Sequence, residues 1–337
     1  MDVYILAIES SCDETSMAIV KNGCEVVSLS VTTQMDTHAK YGGVVPEIAS
    51  RMHTEAITLV LEDCLEKAQM KIEDMDAVAV TYAPGLTGSL RVGVEAAKII
   101  SLMYHKPLIA VNHLIGHIYA NNLENKMEYP LLALIVSGGH TELIIMEDDY
   151  QFKKLGETMD DAIGEAYDKV ARAIGLGYPG GPKIDRIARE GNPDAIKFPK
   201  ANVDGAKYDF SFSGLKSAVL NYINGCKMKG ESFDPADIAA SFQKAVVEVL
   251  VEKSMQAAED YSMRKFAIAG GVASNTALRT AMEAACAKRG IQFYHPSPIY
   301  CTDNAAMIGA AGFYEYLAGT RHGWDLNAVP NLKLGER

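Results

Sequence analysis

The sequence predicts an α/β protein made of two similar lobes. Its 337 residues, 48% hydrophobic and 22% charged, are enough for two lobes with cores of their own and too apolar for a disordered chain. Short apolar strands alternate with glycine-bearing loops and helical stretches. One ordered unit (strand, polar turn, strand, then later strand, glycine loop, helix, strand, helix) occurs twice, with little identity between the copies. Two α/β units of one pattern suggest a cleft between them, and ligands of open α/β sheets sit in such crevices at strand ends.

The first copy opens with a buried-type strand over residues 3–9, a polar turn SSCDET over 10–15, and a returning strand over 16–20. Pro46 suits a first helical turn, so a helix runs from there to about residue 70. A strand over 77–82 enters the glycine loop APGLTGS at 83–89 and a helix through about 105. After a strand at 107–111, Asn112 is a good N-cap for a helix carrying His113 and His117. The second copy has strands at 131–136 and 141–146 around the turn SGGH at 137–140. It continues with a strand at 265–269, the loop GGVASN at 270–275, and a helix through about 289. A strand at 291–294 and an alanine-rich helix opened by Asp303 complete it. The expected domains are an N-terminal lobe over 1–128 and a C-terminal lobe over 129–304 with a basic insertion at 191–233. A helix and tail over 305–337 pack back on the N-terminal lobe.

A formal net charge of −11 argues against a generally basic nucleic-acid coat. The one basic stretch, 195–230, has lysines at 197, 200, 207, 216, 227 and 229 against Asp204 and Asp209, with Phe210, Phe212 and Tyr222 interleaved. It reads equally as an RNA-facing insertion or as a solvated loop and helix. Six cysteines without C-x-x-C spacing are expected to be reduced thiols of a cytoplasmic protein. The first apolar run, 3–8, is too short and lacks the basic flank of a signal peptide, and no run approaches membrane-spanning length.

His113 and His117 stand four residues apart, which puts both imidazoles on one helical face. The spacing resembles the H-E-x-x-H helix of zinc proteases, but Leu114 stands where such an enzyme keeps its glutamate. By themselves two such histidines are more often packing residues. The repeat supplies a third group: Asp303, from the second lobe, opens the helix that matches the histidine helix, and pseudo-symmetry brings both helix starts to the cleft, so a metal would be held between the two lobes. Two imidazoles and a carboxylate with open positions suit non-haem iron or zinc, whereas Asp303 alone reads as an ordinary helix-start acid.

The turn at 137–140 is either a plain hairpin or, with glycines at φ > 0, a place where backbone N–H groups approach an anion. The turn at 10–15 adds Asp13 and Glu14, which a hairpin does not need and which can orient a water, hold a metal or accept a proton. The GGVASN loop sets backbone donors and a helix start at a strand end, a natural phosphate site. Neither a Walker-type lysine loop nor G-x-G-x-x-G occurs. The acid-dense region 157–185 carries Asp161, Glu165 and Asp168 on one helical face and ends in a loop with Gly177, Gly180 and Gly181. Its i,i+4 pairs Glu165–Lys169 and Asp168–Arg172 fit a solvated helix, while Asp168 and Asp185 could grip substrate hydroxyls if they line the cleft.

The motifs IESSCDET at 8–15, NHLIGH at 112–117, VSGGHTEL at 136–143, GEAYDKVAR at 164–172, YPGGP at 178–182, FSFSGLK at 210–216 and GGVASN at 270–275 closely resemble the TsaD (Gcp) family of bacterial tRNA N6-adenosine threonylcarbamoyltransferases. The resemblance runs from residue 3 to about 317. It implies a two-lobed actin-like, Hsp70-like ATPase fold with duplicated RNase H-like domains and a central cleft. It implies an acyltransferase that moves the threonylcarbamoyl group of threonylcarbamoyl-AMP to N6 of the adenosine 3′ of the anticodon, in tRNAs reading codons that begin with A. By the same motifs His113, His117 and Asp303 look like ligands of one divalent metal, iron(II) first and zinc or magnesium otherwise. Val136, Ser137, Gly138, Gly139, His140, Asp168, Gly181, Asp185 and Asn275 look like contacts of the adenine nucleotide, the adenylate donor or ATP. Asp13 and Glu14 match the family's acidic turn and are candidates to assist proton transfer. Implied partners are tRNA, TsaB-like and TsaE-like proteins, and a TsaC or Sua-type synthase supplying the adenylate, with no membrane. The rival readings are a small-molecule kinase of the same fold, which would not need the histidine pair, and a metallopeptidase, against which Leu114 counts.

Overall fold

The first apolar run forms strand β1 (Tyr4–Glu9), in a computed structural model that describes residues 2–200 and 207–334. β2 (Glu14–Lys21) returns antiparallel to it and β3 (Glu25–Thr33) extends the meander. After α1 (Met35–Ala39) and α2 (Pro46–Ala68), β4 (Ala77–Ala83) joins parallel to β1. Helix α3 (Thr87–Tyr104) leads to β5 (Leu108–Asn112), parallel to β4, and β5 runs straight into α4 (His113–Tyr119). The sheet order is β3-β2-β1-β4-β5. β1 and β4 are near-continuous apolar runs because helices cover both of their faces. On one face Leu6, Ile8, Val78 and Val80 pack with Val60 and Cys64 of α2 and Val94 and Ala97 of α3.

The second unit repeats this layout. β6 (Leu131–Val136), β7 (Thr141–Asp148) and β8 (Gln151–Glu157) form an antiparallel meander. Helices α5 (Ile163–Ala173), α6 (Gly180–Ile187), α7 (Ser213–Lys229) and α8 (Pro235–Asp260) follow. β9 (Lys265–Ala269), α9 (Thr276–Arg289) and β10 (Gln292–Tyr294) complete it, with β9 parallel to β6 and β10 parallel to β9. The order β8-β7-β6-β9-β10 matches the first sheet strand for strand and direction for direction. The repeat is therefore real at the level of topology.

The chain then returns to the first unit with α10 (Pro298–Cys301) and α11 (Ala305–Leu317). Contacts divide the described chain into Met1–Met127 with Pro296–Arg337, and Glu128–His295. The boundary expected at 304 falls instead at 295/296, and Asp303 belongs to the same unit as the two histidines. The reason is packing. α11 lies on the second face of the first sheet, where a Cβ on Gly312 would sit 2.6 Å from Ala79 Cβ and one on Gly309 2.6 Å from Val20 Cγ2. Only glycine lets the helix come this close. Past α11, His322 N–H donates to Leu108 O and Val329 N–H to Tyr82 O, each at 2.9 Å, so the tail follows the β5 side of this sheet.

Three local expectations change. Asn304, not Asp303, caps α11, its Oδ1 accepting from Met307 N–H at 3.1 Å. Gly180 and Gly181 open α6 and are not part of a loop. Gly138 and Gly139 have no φ in the left-handed region, so the turn at 137–140 does not use glycine for that purpose. The edge strands β3 and β8, unassigned from sequence, complete the sheets. Asp204, within the basic stretch, lies outside the described residues.

Candidate metal centre and nucleotide-binding turns

Asn112 ends β5 and caps α4, its Oδ1 accepting from Leu114 N–H at 2.9 Å and Ile115 N–H at 3.5 Å. The helix thus starts directly at the strand end, with His113 and His117 one turn apart on it. Their rings meet edge-on at 4.5 Å. A Cβ on Gly116 would lie 2.6 Å from Ile308 Cδ1, so α4 presses close to α11. That closeness brings Asp303 Oδ1 to 3.5 Å from His113 Nε2 and 3.3 Å from His117 Nε2. One ligand atom from each of the three lies within 4.8 Å of the others.

Behind His113 stands Glu9, fully buried at the end of β1. Its Oε2 lies 3.0 Å from His113 Nδ1 and accepts from Thr81 Oγ1 at 2.6 Å, while Oε1 accepts from Ser11 N–H at 2.6 Å. Ser11 Oγ is 3.1 Å from the same Nδ1. A carboxylate only accepts, so Nδ1 carries the proton and Nε2 faces Asp303. Burial opposes charge on His113, but the Asp303 and Glu9 carboxylates outweigh it and push its pKa up to about 9. His117 moves the other way, lowered by burial and by the neighbouring His113 charge.

His117 is wholly buried, and among the described residues neither ring nitrogen has a hydrogen-bond partner. A buried polar atom without a partner costs free energy, and in a native protein it points to a group that satisfies it. The donor set, two imidazoles and a partly open carboxylate, fits a divalent cation.

The acidic turn belongs to the same unit. Asp13 is buried, and Glu14 Oε1 accepts from Thr33 Oγ1 at 3.1 Å. Burial, then the charges of Asp13 and Asp303, push Glu14 up to about 10. Burial and the same two carboxylates also raise the Cys12 thiol. The first unit therefore gathers Asp13, Glu14, His113, His117 and Asp303 into one electrostatic neighbourhood that favours a cation. Gly85 closes it from the side: a Cβ there would lie 2.6 Å from Ser11 O, which accepts from Leu86 N–H at 2.8 Å.

The remaining candidates lie in the second unit. Ser137 N–H donates to His140 O at 2.9 Å, and His140 N–H to Ser137 Oγ at 3.2 Å. Gly270, with φ 93°, passes so near the end of β6 that a Cβ would meet Val136 O at 2.4 Å. The start of α5 is equally close, a Cβ on Gly164 meeting Ser137 O at 2.7 Å. Gly138, Gly139 and Gly181 are different, because a Cβ there would meet nothing within 4 Å. Neither packing nor φ demands glycine at these three positions, which leaves their backbone open, as it also is at Gly214, Gly225 and Gly271.

The polar candidates divide by commitment. Asp168 Oδ1 accepts from Gly180 N–H at 2.7 Å, so it holds the start of α6; burial raises its pKa and the Gly180 amide opposes the rise. Asn275 caps α9, its Oδ1 accepting from Leu278 N–H at 2.9 Å and its Nδ2 donating to Gln243 Oε1 at 2.8 Å. Arg189 donates to both Asp185 Oδ2 and Thr276 Oγ1 at 2.9 Å, drawing α6 to the start of α9. Asp185 Oδ1 is buried without a hydrogen-bond partner, so a donor such as a ribose hydroxyl fits it. In the basic stretch, Lys200 pairs with Glu248 and Glu252, Lys207 with Asp260, and Lys216 with Asp161. Much of its positive charge is thus met locally, although exposed pairs of this kind are weak.

Glu9, Ser11 and Thr81 were not singled out by sequence reasoning. The available signal was an acid ending an apolar strand, since a carboxylate is almost never fully buried unless paired.

The chain is similar to known proteins along its whole length. The family model for TsaD, tRNA N6-adenosine threonylcarbamoyltransferase, matches residues 25–310. A Clostridium kluyveri protein named tRNA N6-adenosine threonylcarbamoyltransferase is 58% identical, covering 100% of this chain and 99% of its own length. A Clostridium botulinum protein of the same name is 57% identical over 99% of each chain. Among solved structures, HypF of T. kodakarensis aligns with a TM-score of 0.64 at 15% identity, over 94% of this chain and 48% of its own. Component A of the Acidaminococcus fermentans (R)-2-hydroxyglutaryl-CoA dehydratase aligns with a TM-score of 0.56 at 16% identity, over 94% and 99%. At such low identity these two structures speak for the shared actin-like ATPase-type fold alone.

Proposed function

This chain belongs to the TsaD family of tRNA N6-adenosine threonylcarbamoyltransferases, and from that premise we propose how its residues serve the reaction. It is an acyl-group transferase that modifies N6 of an adenosine in tRNA. The donor is threonylcarbamoyl-AMP, and the acceptor is the adenosine 3′ of the anticodon in tRNAs reading codons that begin with A. The N6 lone pair attacks the carbamoyl carbon, the bond to the adenylate phosphate breaks, AMP leaves, and N6 loses a proton. The observation that carries the site assignment is the convergence of His113, His117 and Asp303, with both His117 nitrogens otherwise unsatisfied.

A divalent metal held by these three residues, iron(II) first and zinc or magnesium otherwise, supplies Lewis-acid stabilisation of negative charge when bound. Glu9 fixes the His113 ring and its tautomer from behind, supported by Thr81. Asp13 accepts the proton leaving N6, because burial and the neighbouring carboxylates push Glu14 up to about 10 and so keep it protonated. In the second unit, the backbone at Ser137–Gly139 and at Gly181 holds the phosphate and carbamoyl oxygens, and Asp185 Oδ1 takes a ribose hydroxyl. Val136, His140, Asp168 and Asn275 set the backbone around that nucleotide. Holding an amine against an activated carbonyl contributes much of the rate by itself.

The net charge of −11 supports reliance on TsaB-like and TsaE-like partners for tRNA engagement, with a TsaC or Sua-type synthase supplying the adenylate. Six free cysteines, and no described helix long and apolar enough to cross a membrane, are compatible with action in the cytoplasm. Leu114 between the two histidines counts against peptide cleavage.

The test is incubation of the purified protein with threonylcarbamoyl-AMP and unmodified tRNA, with and without the partner proteins, followed by nucleoside mass analysis. Threonylcarbamoyladenosine formed only when this chain is present is the expected result. Its absence with all partners supplied refutes the reading.

A further inference from the structure

The backbone of the acidic turn is held by a closed set of buried hydrogen bonds that the chemistry above does not use. His53, on α2, is fully buried. Its Nε2 lies 2.9 Å from Cys12 O and its Nδ1 2.7 Å from Thr15 Oγ1. A carbonyl only accepts, so Nε2 carries the proton and Nδ1 accepts from the Thr15 hydroxyl. One neutral tautomer satisfies both ends.

On the next peptide, Asp13 O accepts from Gln34 N–H at 3.0 Å. Gln34 is itself tied to α2, its Nε2 donating to Ala49 O at 3.2 Å. Its Oε1 accepts from His38 Nε2 at 3.0 Å, and His38 Nδ1 accepts from Val45 N–H at 3.2 Å, just ahead of α2. The carbonyls of residues 12 and 13 are therefore both bonded to one frame made of α2 and the 34–45 segment. Gln34, His38, Thr15 and His53 are all buried. A turn that needed only support could rest on apolar side chains at lower desolvation cost. A fully satisfied polar network instead specifies one placement.

We propose that His53 is a positioning residue for the transfer, holding Asp13 in register with Asp303 through the Cys12 carbonyl. This rests on the assignment of Asp13 as proton acceptor. Two substitutions separate its role from general packing. His53→Leu removes both hydrogen bonds, and His53→Gln returns a donor toward Cys12 O. Transfer from threonylcarbamoyl-AMP to unmodified tRNA is measured with partners present, alongside bound metal by elemental analysis and melting temperature.

For His53→Leu, kcat is expected to fall about tenfold or more, as misplacement of a reacting group does, with KM for the adenylate and bound metal unchanged. His53→Gln is expected to recover most of kcat without melting higher than His53→Leu. An unchanged kcat in His53→Leu, or equal losses in both variants that track their melting temperatures, overturns the proposal. So does loss of the metal. Should His53→Leu fail to fold, Thr15→Val removes only the Nδ1 partner; lower kcat at full metal content supports the proposal and unchanged kcat overturns it. Asp13→Asn in the same assay tests the acceptor assignment by itself, and full activity there removes the basis for His53 as well. An inactive parent protein refutes the transferase reading instead.

Discussion

Glu9 Oε2 lies 3.0 Å from His113 Nδ1, and this contact decides which nitrogen of His113 faces Asp303. A carboxylate holds one N–H on its own side, so the proton that a cation displaces is the one on Nε2. Glu9→Gln keeps the shape but offers an amide that can donate, which would move the proton to the metal side. Partners behind a metal-bound histidine typically contribute about 10–100-fold in affinity. Glu9→Gln is therefore expected to lose metal at chelator concentrations that leave the parent loaded, as read by elemental analysis after dialysis. Equal retention would show that Glu9 does not set the ring.

His117 gives the sharpest test of the centre. Among the described residues its nitrogens make no hydrogen bond, so removing the ring loses little beyond the 3.3 Å approach of Nε2 to Asp303 Oδ1. His117→Ala should bind no metal and form no threonylcarbamoyladenosine. Its circular dichroism spectrum should match that of the metal-free parent. Full transfer by a demonstrably metal-free His117→Ala protein would sink the assignment.

Asp160 carries a pH-dependent part of the stability. Burial works against its charge, but Ser211 and Ser213 hydroxyls and the Phe212 and Ser213 amides outweigh it and hold the carboxyl below its ordinary value. Those amides, 2.8 Å and 3.2 Å away, open α7, so Asp160 caps that helix from another segment. A folded-state pKa below the unfolded one gives stability that is complete above the unfolded pKa. That stability disappears as pH falls through the folded value. Asp160→Asn should therefore cost about 1 kcal/mol at pH 7, the range of a lost helix cap, with some discount for exposure. The difference from the parent should narrow in urea melts as pH falls below the ordinary carboxylate range. A constant difference would mean that shape, not charge, is what Asp160 supplies.

The convergence of His113, His117 and Asp303 was legible in sequence because the i,i+4 spacing of the histidines survives any helix, and because the repeat pointed to Asp303. Its location was not. The repeat runs on through residue 303, whereas the chain changes units at 295/296. What draws Asp303 to the histidines is the seating of α11 by Gly309 and Gly312 on the first sheet, a long-range fit that local pattern does not encode. Glu9 read as the end of an apolar strand, since its partners Thr81 and His113 are distant in sequence. Asp168 and Asn275 show the converse limit, for an acid or amide near a glycine-rich turn looks the same whether it meets a ligand or a helix start. The edge strand β3 does alternate apolar and polar over 27–32, but its register is inverted, with Ser28 and Ser30 buried and Val31 exposed, so the alternation does not mark an apolar face.

Gly85 links the loop after β4 to the candidate metal centre, and its substitution separates support from stability. A Cβ at this position would lie 2.6 Å from Ser11 O and 2.8 Å from Ser11 Cβ, so Gly85→Ala must displace one of the two segments. The loop is poorly free to move, because Gly85 N–H donates to Pro330 O at 3.1 Å and Leu86 N–H to Ser11 O at 2.8 Å. Ser11 is therefore the part that shifts, and its Oγ, 3.1 Å from His113 Nδ1, shifts with it. Overpacking of this kind costs about 1–3 kcal/mol, so the metal-free variant should melt several degrees below the parent. The more telling reading is the rise in melting temperature on adding metal, which reports affinity for the folded state. Gly85→Ala should show a smaller rise than the parent at equal metal concentration. An equal rise on a lowered baseline would mean that Ser11 supports the fold without tuning His113.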